Sequence, residues 1–385
     1  MGGVLLSCMQ MAKLLYANPE IDADMLYLGR FKAPDPFLAL VTGKEKIAVL
    51  SDLEFGRAKK ASAFTDIRSL SAMKREAEGV FKERPITLIH VIRLLLKEFK
   101  LSAVEIPSEF PAGLAFQLKA ARIKVEVAAG MIFPEREFKS DDEADMIREG
   151  NAASAAGFGI VEKILKQSKI LKNGYLSWGG KRLTSERVIQ EIEIGLIEIG
   201  ARAGTPIVAG GDQACDPHER GHGPLRANEL IIVDIFPRVN AHGYHGDMTR
   251  TFLKGRASDS QRHLVETVKS AHGLAMNKAK PGVTGGSIHK AIQALFKKAG
   301  YVTEKQGDTF VGFFHGTGHG LGLDVHEPPR VGQGTPRLKK GAVVTIEPGL
   351  YYPGLGGCRV EDVVRLVPGG CEVLSDYPYE WEIIG

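Results

Sequence analysis

Thr184 and Thr284 stand one hundred residues apart, each directly ahead of a helical apolar pattern, and Gly200 and Gly300 close those patterns at the same spacing. Around these markers one order of elements occurs twice. A helix pattern starts at Ser140, whose hydroxyl can cap the first turn while Glu143 reaches back, and it carries Ile147, Ser154, Phe158, Val161 and Leu165 on one stripe. A second helix pattern runs from about Ser185 with Val188, Ile192, Leu196 and Ile199 inward and stops at Gly200. β-rich sequence follows from Glu229 to Leu253. The later half repeats the order: a helix carrying Leu264, Val268, Ala271 and Ala275, another carrying Ile288, Ile292 and Leu295, then β-rich segments to the end. The pattern predicts a duplicated α+β unit with pseudo-twofold symmetry, and a site at the interface of the halves would draw its ligands from both.

The first third follows a different rhythm. Phe37 to Thr42 and Lys46 to Ser51 flank Gly43 as a hairpin, and Leu88, Val91, Ile92, Leu95, Leu96 and Phe99 recur at helical spacing. Ala103 to Ile106 and Lys124 to Ala129 read as further strands, so an α/β domain is expected up to about Pro134. Phe133 to Lys139 holds a proline and four charged residues without apolar periodicity, as boundary segments do. A chain of 385 residues is long for one core, and the division expected is residues 1–135 and 136–385.

Composition removes several classes. The 44% hydrophobic and 25% charged content is that of a soluble globular chain, and 50 Lys/Arg against 46 Asp/Glu leaves a net charge of only +4, too balanced for nucleic-acid binding. Cys8, Cys215, Cys358 and Cys371 form no close-spaced pair, which argues against a disulfide framework or a structural zinc site and for a reducing cytoplasm. The apolar run through Leu5, Leu6 and Cys8 lacks a basic flank and is interrupted early, so no signal peptide is expected, and nowhere does an uncharged apolar run reach spanning length.

The chemistry is concentrated in the second domain. Leu230 to Val233 is a β-branched run that ends in Asp234, and the chain turns over through Asn240 to Gly243 before returning at Asp247 to Thr251. A hairpin here is expected to set the two carboxylates across from each other. Ala342 to Ile346 drives a buried strand into Glu347, and Cys358 to Val364 reads as a strand carrying Glu361. Buried acids without compensation cost several kcal/mol each, and a cation is the simplest compensator. Phe314 to Glu327 contains four glycines with His315, His319 and His326, a backbone able to approach something closely with imidazoles beside it. Four carboxylates and one imidazole form an oxygen-rich set suited to two ions such as manganese, cobalt or iron, with zinc also within reach of these donors. Such a pair points to metal-assisted hydrolysis.

These strings resemble the pita-bread metallopeptidases, the family of prolidase, aminopeptidase P and methionine aminopeptidase. Asp234, Gly243-Tyr244 and Asp247-Met248-Thr249-Arg250-Thr251 match its first segment, Gly316 to Glu327 its histidine string, Glu347-Pro348-Gly349-Leu350-Tyr351 and Gly357 to Asp362 its later acids. The resemblance implies an α+β fold: a C-terminal pita-bread domain, with a curved antiparallel sheet covered by helices, behind an N-terminal α/β creatinase-like domain. It implies that Asp234 binds one ion, His319 and Glu347 the other, and that Asp247 and Glu361 bridge, with Glu347 also taking the proton from the attacking water. His218 and His326 would line the substrate cleft, with His222 competing for the place of His218, and Arg359 would support the acids or touch substrate. Leu26 to Phe31 tilts the resemblance toward Xaa-Pro peptidases, which act on short peptides as homodimers. Two other readings are open: a metal-free relative, either a creatinase-like hydrolase or a non-catalytic peptide-binding module, and a methionine aminopeptidase. One departure stands out, because the family places a small residue two positions after its first Asp, whereas this chain reads Asp234-Ile235-Phe236-Pro237-Arg238.

Overall fold

The computed structural model describes residues 11–384, so the run through Leu5, Leu6 and Cys8 lies outside the described residues. Two compact units divide between Arg136 and Glu137.

The first unit is built on a six-stranded mixed sheet, in the order Asp66–Ser69, Glu45–Leu50, Phe37–Thr42, Ala12–Ala17, Ala103–Ile106 and Lys124–Val127. Three of its strands, Glu45–Leu50, Phe37–Thr42 and Ala12–Ala17, are apolar on both faces, as a sheet covered on both sides requires. Leu14, Leu38, Leu40, Ile47 and Val49 enter one core, and their alternate neighbours Leu15, Phe37, Ala39, Ala48 and Leu50 enter another. The hairpin around Gly43 is present, with its second strand one residue earlier than expected, and the last strand ends at Val127 rather than Ala129. The strand Ala12–Ala17 and the helices Asp52–Ala61, Leu70–Val80 and Ala112–Ala120 escaped the sequence reading.

The second unit holds the repeat. Helix Asp141–Gln167 is capped by Ser140 and Glu143 in a reciprocal box, and helix Asp259–Lys278 by Ser258 and Gln261 in the same way. Helices Ser185–Glu198 and Gly285–Lys298 are each 14 residues long, are capped by Thr184 and Thr284, and end before Gly200 and Gly300 at φ of 78° and 92°. Ile199 is not inward as expected: it is the cap residue of its helix and is 56% exposed, because the helix stops one residue before it.

Each helix pair covers its own sheet. The first sheet runs Ile207–Gly210, Leu230–Ile235, Met248–Lys254 and Glu382–Ile383; the second runs Glu327–Val331, Gly318–Gly320, Val343–Ile346, Asp362–Val367 and Gly370–Val373. Phe158, Val161, Ile192 and Leu196 pack on Ile231, Val233 and Phe252 in one core, while Leu264, Val268, Ile288 and Ile292 pack on Val344, Ile346 and Val364 in the other. A separate hairpin, Gly349–Tyr352 with Gly356–Arg359, leads from the second sheet back toward the first. Cys215, Cys358 and Cys371 are free thiols. Among the described residues no helix is long and apolar enough to cross a membrane.

Candidate metal centre and cleft

Strand Leu230–Ile235 is buried throughout and delivers Asp234 from its end. Asp247 enters differently from the expected face-to-face pairing. In the hairpin register Asp234 lies opposite Thr249, so Asp247 is offset diagonally by two residues on the same face of the sheet. Its backbone N–H donates to Asn151 Oδ1 (2.9 Å), and Gly246 beside it presses on Gly150 of helix Asp141–Gln167.

Glu347 follows strand Val343–Ile346, and its N–H donates to the Thr317 carbonyl (2.8 Å). Glu361 does not sit in a continuous strand as expected. The strand breaks after Arg359 and resumes at Asp362, because the chain here leaves one hairpin for another sheet. Across that gap it is tied to the first half: Glu361 N–H donates to the Thr249 carbonyl (3.1 Å), Thr249 Oγ1 donates to Glu361 Oε2 (2.8 Å), and Arg359 exchanges two bonds with Thr251 Oγ1.

His319 is held between two glycines that no other residue could replace. A Cβ on Gly318 would fall 1.9 Å from the Thr345 carbonyl oxygen, and one on Gly320 2.3 Å from that of Pro328. The imidazole Nδ1 donates to the Gly320 carbonyl (3.1 Å), which leaves Nε2 with its lone pair facing Asp247 Oδ2 at 3.6 Å and Glu347 Oε1 at 3.7 Å. Ligand atoms of Asp247, His319 and Glu361 all lie within 4.8 Å of one another.

Electrostatics make this cluster costly as it stands. Burial first, and then the neighbouring carboxylates, hold Asp247 and Glu361 well above the usual acid range; burial pushes Glu347 up to about 7 and His319 down to about 3. Arg359, whose guanidinium lies in their midst, is already committed, donating from Nη2 to Asp234 Oδ2 (2.6 Å), from Nε to Thr249 Oγ1 (3.1 Å) and from Nη1 to Tyr351 OH (3.1 Å). Asp234 Oδ1 remains buried without a hydrogen-bond partner. An orphaned carboxylate oxygen, an aimed imidazole lone pair and mutually repelling acids fit a divalent cation.

The cluster floors a cleft of about 1200 Å³. His218 and His326 line it, His326 with its ring edge-on to His319 at 4.4 Å between centroids. His222 instead pairs with Glu219 (3.4 Å) and does not line the cleft. Phe236 also lines it, together with Phe314, His315 and Arg330. Sequence reasoning gave no role to Tyr351, which joins Arg359 to His315: Tyr351 OH donates to His315 Nε2 at 2.8 Å, since His315 Nδ1 is spent on the Gly316 carbonyl. Asn151 and Arg330 were also missed; Tyr351 closes the string Glu347-Pro348-Gly349-Leu350-Tyr351, so its place beside the acids was marked in sequence.

Fold and cluster together define a metal-binding hydrolase architecture, with acids drawn from two similar halves into one cleft. The chain belongs to metallopeptidase family M24, whose model matches residues 145–368. It is 36% identical over 171 residues to the Xaa-Pro dipeptidase of Pyrococcus furiosus, a match covering 44% of this chain and 46% of that enzyme, so less than half the relative's length is spanned. In fold it resembles the prolidase from Pyrococcus horikoshii (TM-score 0.76, 24% identity, 96% of this chain and 95% of that one). The X-Pro aminopeptidase from Thermotoga maritima is similar to the same degree (TM-score 0.79, 22% identity, 97% of both chains).

Proposed function

We propose that the chain is a dinuclear metal-dependent exopeptidase that removes the first residue of dipeptides or short peptides at an Xaa-Pro bond. The observation that carries this reading is the buried convergence of Asp247, His319 and Glu361. Asp234 and Glu347 complete the set that would hold two divalent ions, for which manganese suits the oxygen-rich donors. Bound there, such ions supply Lewis acidity and make a water acidic enough to ionise near neutral pH.

The chain's own groups do the rest. Glu347, on the floor of the cleft beside the other acids, is suited to take and return a proton there. His218 and His326 present imidazoles from the cleft wall to the carbonyl and amide flanking the scissile bond. Arg359 fixes the Asp234 carboxylate. From the resemblance to Xaa-Pro peptidases we take the first unit, to about residue 135, as a creatinase-like domain and the working state as a homodimer, and from the sparse, unpaired cysteines a cytoplasmic setting. The relatives named as Xaa-Pro dipeptidase, prolidase and X-Pro aminopeptidase support the proline-directed reading.

A panel of Xaa-Pro dipeptides, Xaa-Pro-Xaa tripeptides and Met-Ala-Ser, assayed with added manganese, tests it. Cleavage before proline, abolished by chelator and by Glu361→Ala, is the expected result. Preference for Met-Ala-Ser would make the chain a methionine aminopeptidase, and inertness toward every peptide, with no stoichiometric metal, would make it a binding module.

A further inference from the structure

Lys139 and Glu327, 188 residues apart in sequence, form an ion pair whose side chains are both only 2% exposed. Neither belongs to the acid cluster, yet Glu327 directly follows His326 and opens strand Glu327–Val331. Burial alternates along that strand, with Glu327, Pro329 and Val331 inward and Pro328 and Arg330 outward. The carboxylate is therefore aimed into the interior at the residue next to the cleft histidine.

The other partner is anchored independently. Lys139 N–H donates to the Gly341 carbonyl (2.9 Å), and Phe138 beside it bridges Ala342, so the lysine's backbone is fixed to the entry of the strand that leads to Glu347. Room for the pair is cleared by glycine: a Cβ on Gly322 would fall 2.4 Å from Glu327 Oε1 and 3.0 Å from Lys139 Cε. Gly322 in turn accepts from His245 N–H (2.9 Å), two residues before Asp247. The loop from Gly322 to Glu327 is thus pinned at both ends, and His326 stands one residue inside the second pin.

Stability alone gives little reason for such a pair. Two charges removed from water recover their desolvation cost only with good geometry, and an apolar pair of matched volume is often as stable or more so. What the ionic pair adds is a unique register, since a carboxylate and an ammonium in an apolar interior tolerate only one mutual placement. We propose that Lys139 and Glu327 are positioning residues that hold the His326 imidazole in place beside His319 over the acid cluster. The proposal rests on the peptidase reading for its consequence in turnover, but its structural content does not.

The test is a double-mutant cycle in the full chain, loaded with manganese, using Glu327→Gln, the volume-matched pair Lys139→Met with Glu327→Leu, and each again in a His326→Ala background. Breaking the pair should lower kcat for an Xaa-Pro dipeptide by up to roughly a hundredfold, with bound metal unchanged, as small misplacements of reacting groups do. In the His326→Ala background the same changes should have almost no further effect, because they act through a group already absent. Equal losses in both backgrounds, or full kcat in the apolar pair variant, would overturn the proposal. Should Glu327→Gln fail to fold, the apolar pair keeps the comparison open. Should the wild-type chain cleave no peptide, crystal structures decide: a His326 ring that stays on His319 in the apolar pair variant counts against the proposal, and a displaced ring supports it whatever the substrate.

Discussion

Gly150 and Gly246 meet backbone against backbone: a Cβ on Gly246 would lie 2.1 Å from the Gly150 carbonyl carbon, and one on Gly150 2.3 Å from the Gly246 amide nitrogen. That contact seats helix Asp141–Gln167 against the residue before Asp247, where Asn151 receives the Asp247 N–H. Neither side can yield by rotating a side chain. Gly246→Ala should therefore destabilise by about 1–3 kcal/mol, as overpacking does, and weaken metal binding as Asp247 shifts. Gly159→Ala, on the same helix with nothing within 4 Å, is the control and should stabilise by roughly 0.5–1 kcal/mol. Urea unfolding and metal titration by calorimetry read both, and a Gly246→Ala protein as stable as wild type would refute the contact.

Removing metal should lower stability most at neutral and higher pH. Without a cation, Asp247, Glu347 and Glu361 have folded pKa values raised above those of the unfolded chain, so their contribution is whole below about pH 4 and is lost as pH rises through the raised values, about 7 for Glu347. Metal-free protein should consequently melt lower at pH 7.5 than at pH 5.5 on account of these groups. Saturating manganese should raise Tm more at pH 7.5, by the equivalent of about 3 kcal/mol at a hundredfold excess over Kd, with protons released on binding. A chelator-insensitive Tm at both pH values would contradict the metal assignment.

His289 gives the opposite sign. It is buried, its ring bonded to Thr317 Oγ1 (3.0 Å), and burial lowers its pKa in the fold. The unfolded chain therefore takes up the proton first as pH falls below about 6.5, and the folded state loses stability from there downward. His289→Gln should flatten the difference in unfolding free energy between pH 7.5 and pH 5.5, measured with chelator in every sample so that the acid cluster cancels. Identical differences in wild type and variant would show that burial does not lower the His289 pKa.

Arg359 should behave as a buried charge partner. Arg359→Met leaves both Asp234 oxygens without a donor and should cost about 3–5 kcal/mol in the metal-free protein. Arg359→Lys keeps the charge but loses the fork that spans Asp234, Thr249 and Tyr351, and should fall between. Urea unfolding ranks the three; a Lys variant no better than Met would mean the guanidinium geometry alone matters.

Much of this was legible in sequence wherever chemistry and local pattern coincide. The acids were visible because each follows or precedes an apolar β-run, and His319 because glycines flank it. The repeat was visible because caps and stops recur at one spacing. What escaped reading is relational. The break at Val360 and Glu361 arises because that segment bonds to Thr249 and Thr251 in another sheet, and nothing local marks it. Gly150 reads only as a weak point in a helix until Gly246 is known to lie against it. Helix Ala112–Ala120 has little apolar periodicity of its own, and its one buried residue, Leu118, is too slight a signal.

Asp234 and Asp247 belong to the earlier repeat, whereas His319, Glu347 and Glu361 belong to the later one. Each repeat by itself supplies an incomplete donor set. A chain carrying one repeat would have to find a second copy before it could enclose the same cluster. Linking two copies in a single polypeptide removes that dependence on concentration and leaves the two sets of donors free to differ, as they do here, where one half holds the lone imidazole of the set.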